Sequence, residues 1–495
     1  MYDASELGTN LLEALAYAAA GLDQLDRHAE LWPKEREGEG GGLLRRRDKV
    51  AAEALLLAFL ASRVAVHDPA DAGLARAVDG LTCRAEREIA TGRNEALLRR
   101  FPNLATTLGQ GFVLLERLGR GRPEILRLLR RAFERGWATA SERVPYRLMD
   151  SRWTYGLLDP SLLGPPDELA RFSILGARPH PLHTMSEDDY ALTHALFYLT
   201  DFGRAAPEED LRRRASKLLE PYLAWNAVRG DLDLLGELLI SALVVRAPAS
   251  PAFRFGWEVL RRAWRRPGGL VGPEYSGSRF AELEGAEADA YAFSENYHTV
   301  FVGGILCAVA LARPRSEEAP WRQPAEPAES AEGAGAPVGM SARGRRVWSG
   351  TGPPPLPLPG PDDLPEWTAA RLLSVLGQDR GPAPPWLAAA AESALTRGEL
   401  AVVLHDALLI AAGRNYRLVQ LAEALAVAAR HPALQTPTLG VALQLLLDQQ
   451  LDDGFVGIHR LLAQGDPAPP AEEGAAEAQR VLVGLIEEIG RGLAA

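Results

Sequence analysis

Cysteine is nearly absent from this 495-residue chain, lysine is almost as scarce, and positive charge is outweighed by negative. Two cysteines, Cys83 and Cys307, cannot build a disulfide framework, so the fold has to be held by its core and a reducing cytoplasm is the expected compartment. The opening residues, MYDASELGTN, have no basic stretch followed by an apolar one, so no secretory signal is expected. Long apolar runs are missing as well. The longest, Val300 to Ala312, is too short to span a bilayer and reads as a buried helix, so no membrane partner is expected. A net charge of −11 argues against nucleic acid as a partner, because phosphate binding needs a basic footprint. The lysines are Lys34, Lys49 and Lys217, and the arginine clusters at 45–47, 130–131, 212–214 and 261–266 lie on helical patterns where a solvated basic face is expected. Phosphate loops, dinucleotide fingerprints and nucleophile elbows are also absent. No cofactor is therefore expected.

What is present is helical periodicity. Residues 8–140 carry amphipathic or wholly apolar runs, among them Leu11–Leu25 and Val50–Val66, with no sustained period-two alternation. From Glu142 to Met185 the texture shifts to prolines, glycines and aromatics, which reads as a long connection able to supply a wall or lid. Half-exposed helices are then expected at 208–226 and 253–264, alternating with inner helices at 231–245 and 295–311. Such alternation fits helical hairpins around a common centre. Arg229-Gly-Asp-Leu is echoed by Arg397-Gly-Glu-Leu, but unequal spacing disfavours a regular solenoid. The expected organisation is a main helical domain with a central pocket over 1–312, a Pro/Ala/Gly-rich linker over 313–365, and C-terminal helical hairpins over 366–495.

The stretch Ser186–Gly203, SEDDYALTHALFYLTDFG, combines a capped start with a buried body that carries reactive side chains. Ser186 with Asp189 reads as an N-cap pair, and three acids in the first turn suit the helix dipole. His194, Tyr198 and Asp201 fall at i, i+4 and i+7. If the inner helices line one cavity, these meet Asp233 and Glu237 at i, i+4 and Glu295 and His298 at i, i+3. A carboxylate beside an imidazole in a partly dry pocket tunes an acid or base towards neutral pH. The expected catalytic set is His194, Asp201, Asp233, Glu237 and His298, with Tyr198, Asn296 and Tyr297 contacting substrate. The plainer reading is that these groups cap helices and bond one another, which suits Asp188, Asp189, Asp231 and Glu295 in first turns. His194 and His298 with Asp233 or Glu237 could form a two-histidine, one-carboxylate metal set, but ligand spacing in the sequence does not call for it, and no metal is assigned.

Gln450-Leu-Asp-Asp453-Gly454-Phe455-Val-Gly457 resembles the Gln-x-x-Asp-Gly-aromatic turns of α/α-toroid proteins, the terpene-cyclase and prenyltransferase group. The resemblance implies an all-α, toroid-like array. Its chemistry is not carried over: Asp231-Leu-Asp233 runs into Leu234 instead of completing an Asp-x-Asp-Asp run, and Cys83 and Cys307 do not supply the zinc ligands of lanthipeptide cyclases. Thr193-His-x-x-Phe-Tyr-x-Thr-Asp-Phe-Gly203, with Asn296-Tyr-His-Thr299, resembles a bacterial family that accompanies natural-product gene clusters. The function expected is an enzyme of bacterial specialised metabolism doing general acid/base chemistry on a largely apolar small molecule or peptide. The alternative is a non-catalytic binding or scaffold protein with a filled interior.

Overall fold

The computed structural model describes residues 3–28, 45–65, 72–138, 142–162, 167–177, 179–265, 269–312, 359–378, 384–415 and 417–448, and these are helical with no strand among them. The first part comprises α1 (Ala4–Arg27), α2 (Arg46–Ala65), α3 (Ala72–Ile89), α4 (Gly92–Arg100), α5 (Leu108–Arg117), α6 (Pro123–Glu134) and α7 (Pro145–Leu158). Two short helices, α8 (Asp167–Phe172) and α9 (Ile174–Ala177), lead to α10 (Ser186–Leu199), α11 (Glu209–Arg229), α12 (Leu232–Val244), α13 (Pro251–Trp264), α14 (Gly277–Ala281) and α15 (Gly285–Leu311). A smaller C-terminal part holds α16 (Leu364–Val375), α17 (Pro385–Glu392), α18 (Arg397–Arg414), α19 (Leu418–Arg430) and α20 (Pro437–Asp448). The linker expected at 313–365 lies outside the described residues up to 358, and so does the Gln450–Gly457 turn.

The centre is α12. Every residue from Leu232 to Val244 is buried, as an apolar run with only Asp233, Glu237 and Ser241 as polar side chains requires. It packs against α10, α11, α13 and α15, and α15 in turn packs against α1 and α2. α11 and α13 also carry α17 and α18, which ties the C-terminal helices to the first part. α13 has the solvated arginine face its pattern predicts, with Phe253, Phe255, Val259 and Leu260 buried and Arg261 and Arg262 paired to Glu258.

Close helix approach is bought with missing side chains. A Cβ on Gly21 of α1 would lie 1.8 Å from the Phe293 ring of α15, and one on Gly304 would lie 2.7 Å from Ala14 Cβ. Phe293 cannot swing away easily because Tyr17, Tyr297 and Phe301 surround its ring. Gly21→Ala is therefore expected to destabilise the fold by about 1–3 kcal/mol through overpacking, despite alanine's better helix propensity. Urea unfolding of the variant against the parent checks this.

Several elements differ from their sequence reading. The proline-rich connection at 142–185 contains α7, because Pro145 sits at the first helical position where its missing N–H is harmless. α15 begins at Gly285, ten residues before Glu295, so Glu295 and Asn296 lie inside the helix and not in its first turn. The Arg-Gly-acid-Leu echo is not structural. Gly230 (φ +78°) closes α11 and Asp231 caps α12, whereas Arg397 and Gly398 already lie within α18 behind the Thr396 cap.

α18 buries His405 and Asp406 mid-helix. His405 Nε2 faces the Ala424 carbonyl at 3.0 Å, a structural hydrogen bond. Burial pushes the Asp406 carboxyl up to about 7, opposed by hydrogen bonds from Thr436 and Thr438 and reinforced by the charge of Glu220 on α11. A carboxyl whose folded value lies above its unfolded one binds more protons when folded, so stability is highest in acid and is lost as pH rises from about 4 to about 7. Asp406→Asn is expected to flatten that slope, gaining about 1–3 kcal/mol over the parent at pH 8 and nothing at pH 4. Urea midpoints at the two pH values measure it.

Candidate active site

Three helices deliver the site. Asp233 and Glu237, one turn apart on α12, point between α10 and α15, which is the side-chain direction the i, i+4 spacing dictates. α10 adds Tyr190, Thr193 and His194, and α15 adds His298. His194 Nδ1 lies 3.5 Å from Glu237 Oε2, and His298 Nε2 lies 3.6 Å from Glu237 Oε1 and 3.6 Å from Asp233 Oδ2. One buried carboxylate therefore sits between two imidazoles contributed by different helices. The two imidazoles reach solvent, their side chains being 21% exposed at His194 and 34% at His298.

Each of these groups has a partner that fixes it. Tyr190 O–H donates to Asp233 Oδ2 at 2.6 Å, and Thr193 O–H donates to Glu237 Oε2 at 2.5 Å. His194 Nδ1 lies 2.8 Å from the Tyr190 carbonyl, so it carries the proton and Nε2 holds the lone pair of the neutral ring. His298 Nδ1 lies 2.9 Å from Glu53 Oε2 on α2. Asp233 Oδ1 is buried and has no hydrogen-bond partner among the described residues.

The charges interact strongly. Burial pushes the Asp233 carboxyl up to about 6, with the His298 charge opposing and Glu237 adding to the rise. Burial also works against ionisation of Glu237, but the His194 and His298 charges outweigh it and hold the group below the usual carboxylate range. Glu53 behaves likewise beside His298 and Lys49. For His298, burial favours the neutral ring and is overcome by Asp233, Glu53 and Glu237, which raise it well above an ordinary imidazole.

A second polar group adjoins the first. Burial pushes Asp150 on α7 up to about 6, against the pull of Arg147 and His194, and it accepts from Gln110 at 3.0 Å. Tyr198, raised well above its ordinary value by burial and by Asp150, lies with its ring 6.0 Å from that of His194. Tyr146 and Tyr190 approach the same imidazole edge-on at 5.7 and 6.1 Å. His194 thus stands in an aromatic cup whose far wall is a carboxylate.

Of the residues expected from sequence, the structure brings His194, Asp233, Glu237 and His298 together and places Tyr198 beside them. Asp201 is not part of the group. α10 ends at Leu199, and the chain turns through positive φ at Asp201 (+47°) and Phe202 (+52°), so the i+7 register breaks before it is reached. The Asp201 carboxylate instead accepts from Trp153 Nε1 and Arg63 Nη2, each at 2.7 Å. Asn296 spends its side-chain oxygen on Gly272 N–H at 2.9 Å, a structural bond, and Tyr297 packs its ring among Phe293, Phe301 and His298. The acids read as caps divide: Asp231 accepts from Leu234 N–H and Asp188 from Met185 N–H, whereas Asp189 is buried and accepts from Thr184 and Glu295 faces Arg46. Sequence reasoning missed Glu53, Asp150, Tyr190 and Thr193. A carboxylate isolated in an apolar run, as in Val50–Val66, was the available signal for Glu53.

The family model that matches the chain is described as a domain of unknown function (DUF6895) and covers residues 11–308, which takes in every residue of this site and stops before α16. Comparison with curated proteins and with solved structures returns no match.

Proposed function

We infer, for a chain that belongs to the DUF6895 family, an enzyme that moves protons on a largely apolar small molecule or peptide at the α10–α12–α15 site. The single observation carrying this reading is the pair of imidazoles, both open to solvent, on either side of the buried Glu237 carboxylate. His194 is the general base: its Nδ1–H is held by a carbonyl, so the Nε2 lone pair is free to take a proton. Glu237 stabilises the imidazolium that results, and Thr193 holds Glu237 in place. The aromatic cup of Tyr146, Tyr190 and Tyr198 supplies an apolar seat, and His298, on the other side of Glu237, adds positive charge to the site in which the proton leaves.

A setting in bacterial specialised metabolism, on the resemblance of Thr193–Gly203 and Asn296–Thr299, and a toroid-like closure of the hairpins, on the resemblance of Gln450–Gly457, are part of the same proposal. So is a reducing compartment, which suits the free Cys83 and Cys307. Among the described residues no helix is long and apolar enough to cross a membrane. The test is incubation in D2O with a panel of apolar ketones, esters and short peptides, read by mass spectrometry. Deuterium uptake or product formation that vanishes in His194→Ala and Glu237→Gln is expected. A panel left untouched, with the variants altering only melting temperature, would favour the scaffold alternative.

A further inference from the structure

Asp233, Glu237 and His298 each offer a ligand atom, and these atoms lie within 4.8 Å of one another. The distances inside the group are wrong for hydrogen bonds and right for something between them. His298 Nε2 is 3.6 Å from an oxygen of each carboxylate, beyond hydrogen-bonding reach. Two atoms bound about 2.1 Å from one ion are separated by about 3.4–3.6 Å when they subtend an angle of about 110–120° at it. Asp233 is 2% exposed, yet its Oδ1 has no hydrogen-bond partner among the described residues, which is costly for a buried carboxylate oxygen unless a cation or donor meets it.

The supports around the three residues point the same way. His298 turns Nε2 towards the carboxylates because Nδ1–H is engaged by Glu53, the carboxylate–histidine arrangement that orients metal-binding imidazoles. Tyr190 holds Asp233 through Oδ2, and Thr193 holds Glu237 through Oε2, which leaves Asp233 Oδ1 without a hydrogen bond among the described residues and turns Glu237 Oε1 towards His298 Nε2. Three acids, Glu53, Asp233 and Glu237, crowd His298, with His194 beside Glu237 and Lys49 beside Glu53 as further positive partners, and a cation between Asp233 and Glu237 relieves the repulsion between those two buried carboxylates.

We propose that Asp233, Glu237 and His298 bind one divalent transition-metal ion, of the zinc, manganese or iron(II) class, with Glu53 as the residue that positions His298. One imidazole with two carboxylates suits those ions, whereas calcium and magnesium favour oxygen-only sets. This deepens the acid/base reading above and rests on it for its role: the ion supplies, beside His194, the positive charge on which a substrate oxygen is held while the proton leaves.

The test uses the full chain, stripped with chelator, dialysed and titrated with Zn2+ and separately with Mn2+ by calorimetry, with bound metal counted by mass spectrometry. One ion per chain, micromolar or tighter, with a rise in melting temperature, is expected. Asp233→Asn and Glu237→Gln should each weaken binding by at least about 100-fold, and Glu53→Gln by about 10- to 100-fold. Glu53 is partly exposed, so its variant gives a readout that does not depend on tolerating a buried substitution. Binding of that kind without proton transfer on any substrate would leave this inference standing and remove the enzymatic reading. No binding of either ion, or binding that the three ligand variants leave unchanged, would overturn the inference.

Discussion

His194→Ala is expected to lower the rate of proton transfer by about 100- to 10,000-fold, the usual contribution of a positioned general base. The ring is partly exposed and its Nε2 makes no hydrogen bond among the described residues, so its removal deprives the fold of the Tyr190 contact, some ring packing and one of the two imidazoles beside Glu237. The expected loss is therefore in kcat, with KM moved by a few-fold at most. Because the deletion opens a partly solvated gap bordered by Tyr146, Phe197 and Tyr198, added imidazole should restore part of the rate. Rescue by imidazole is a result that a merely structural histidine would not give. Loss of stability equal to the loss of rate, with no rescue, would remove His194 from the mechanism.

Asp201→Ala should have the opposite character: about 2–4 kcal/mol of lost stability with the proton-transfer site intact. Its carboxylate joins three elements at once, accepting from Arg63 at the end of α2 and from Trp153 in α7 while it closes α10. Removing it leaves Arg63, whose side chain is only 18% exposed, with the Asp201 carbonyl but no carboxylate, and the partial solvation of the pair (Asp201 is 23% exposed) places the cost below that of a fully buried ion pair. Alanine is also poorly suited to the positive φ there, a region asparagine tolerates. Asp201→Asn should therefore recover part of the loss, since its amide oxygen still accepts from Trp153. Urea unfolding of the two variants, read beside the turnover assay, separates them from His194→Ala.

The contrast between these two residues shows how far a helical register can be read. His194 and Asp201 are seven residues apart, and period alone puts them on one face. Period holds only while the helix lasts. The turn after Leu199 is fixed by contacts with Arg63 and Trp153, 138 and 48 residues away in the chain. No local pattern encodes such partners. Glu53 and Asp150 were hidden for the same reason, since what makes each of them part of the site is a histidine from another helix.

The sequence by itself determined that this protein is all-helical, that α12 and the second half of α15 are interior, and that Asp233, Glu237 and His298 lie on the faces they occupy. Apolar periodicity, missing alternation and i, i+4 spacing are properties of neighbours along the chain, and helix geometry converts them directly into faces. Tertiary structure alone decided which faces meet: that His194 and His298 share one carboxylate, that Glu53 holds one of them, and that Asp201 belongs to a structural ion pair. Those outcomes depend on how whole helices pack, down to glycines such as Gly21 and Gly304 that let α15 lie close to α1, and packing distances of that kind are set by many residues at once.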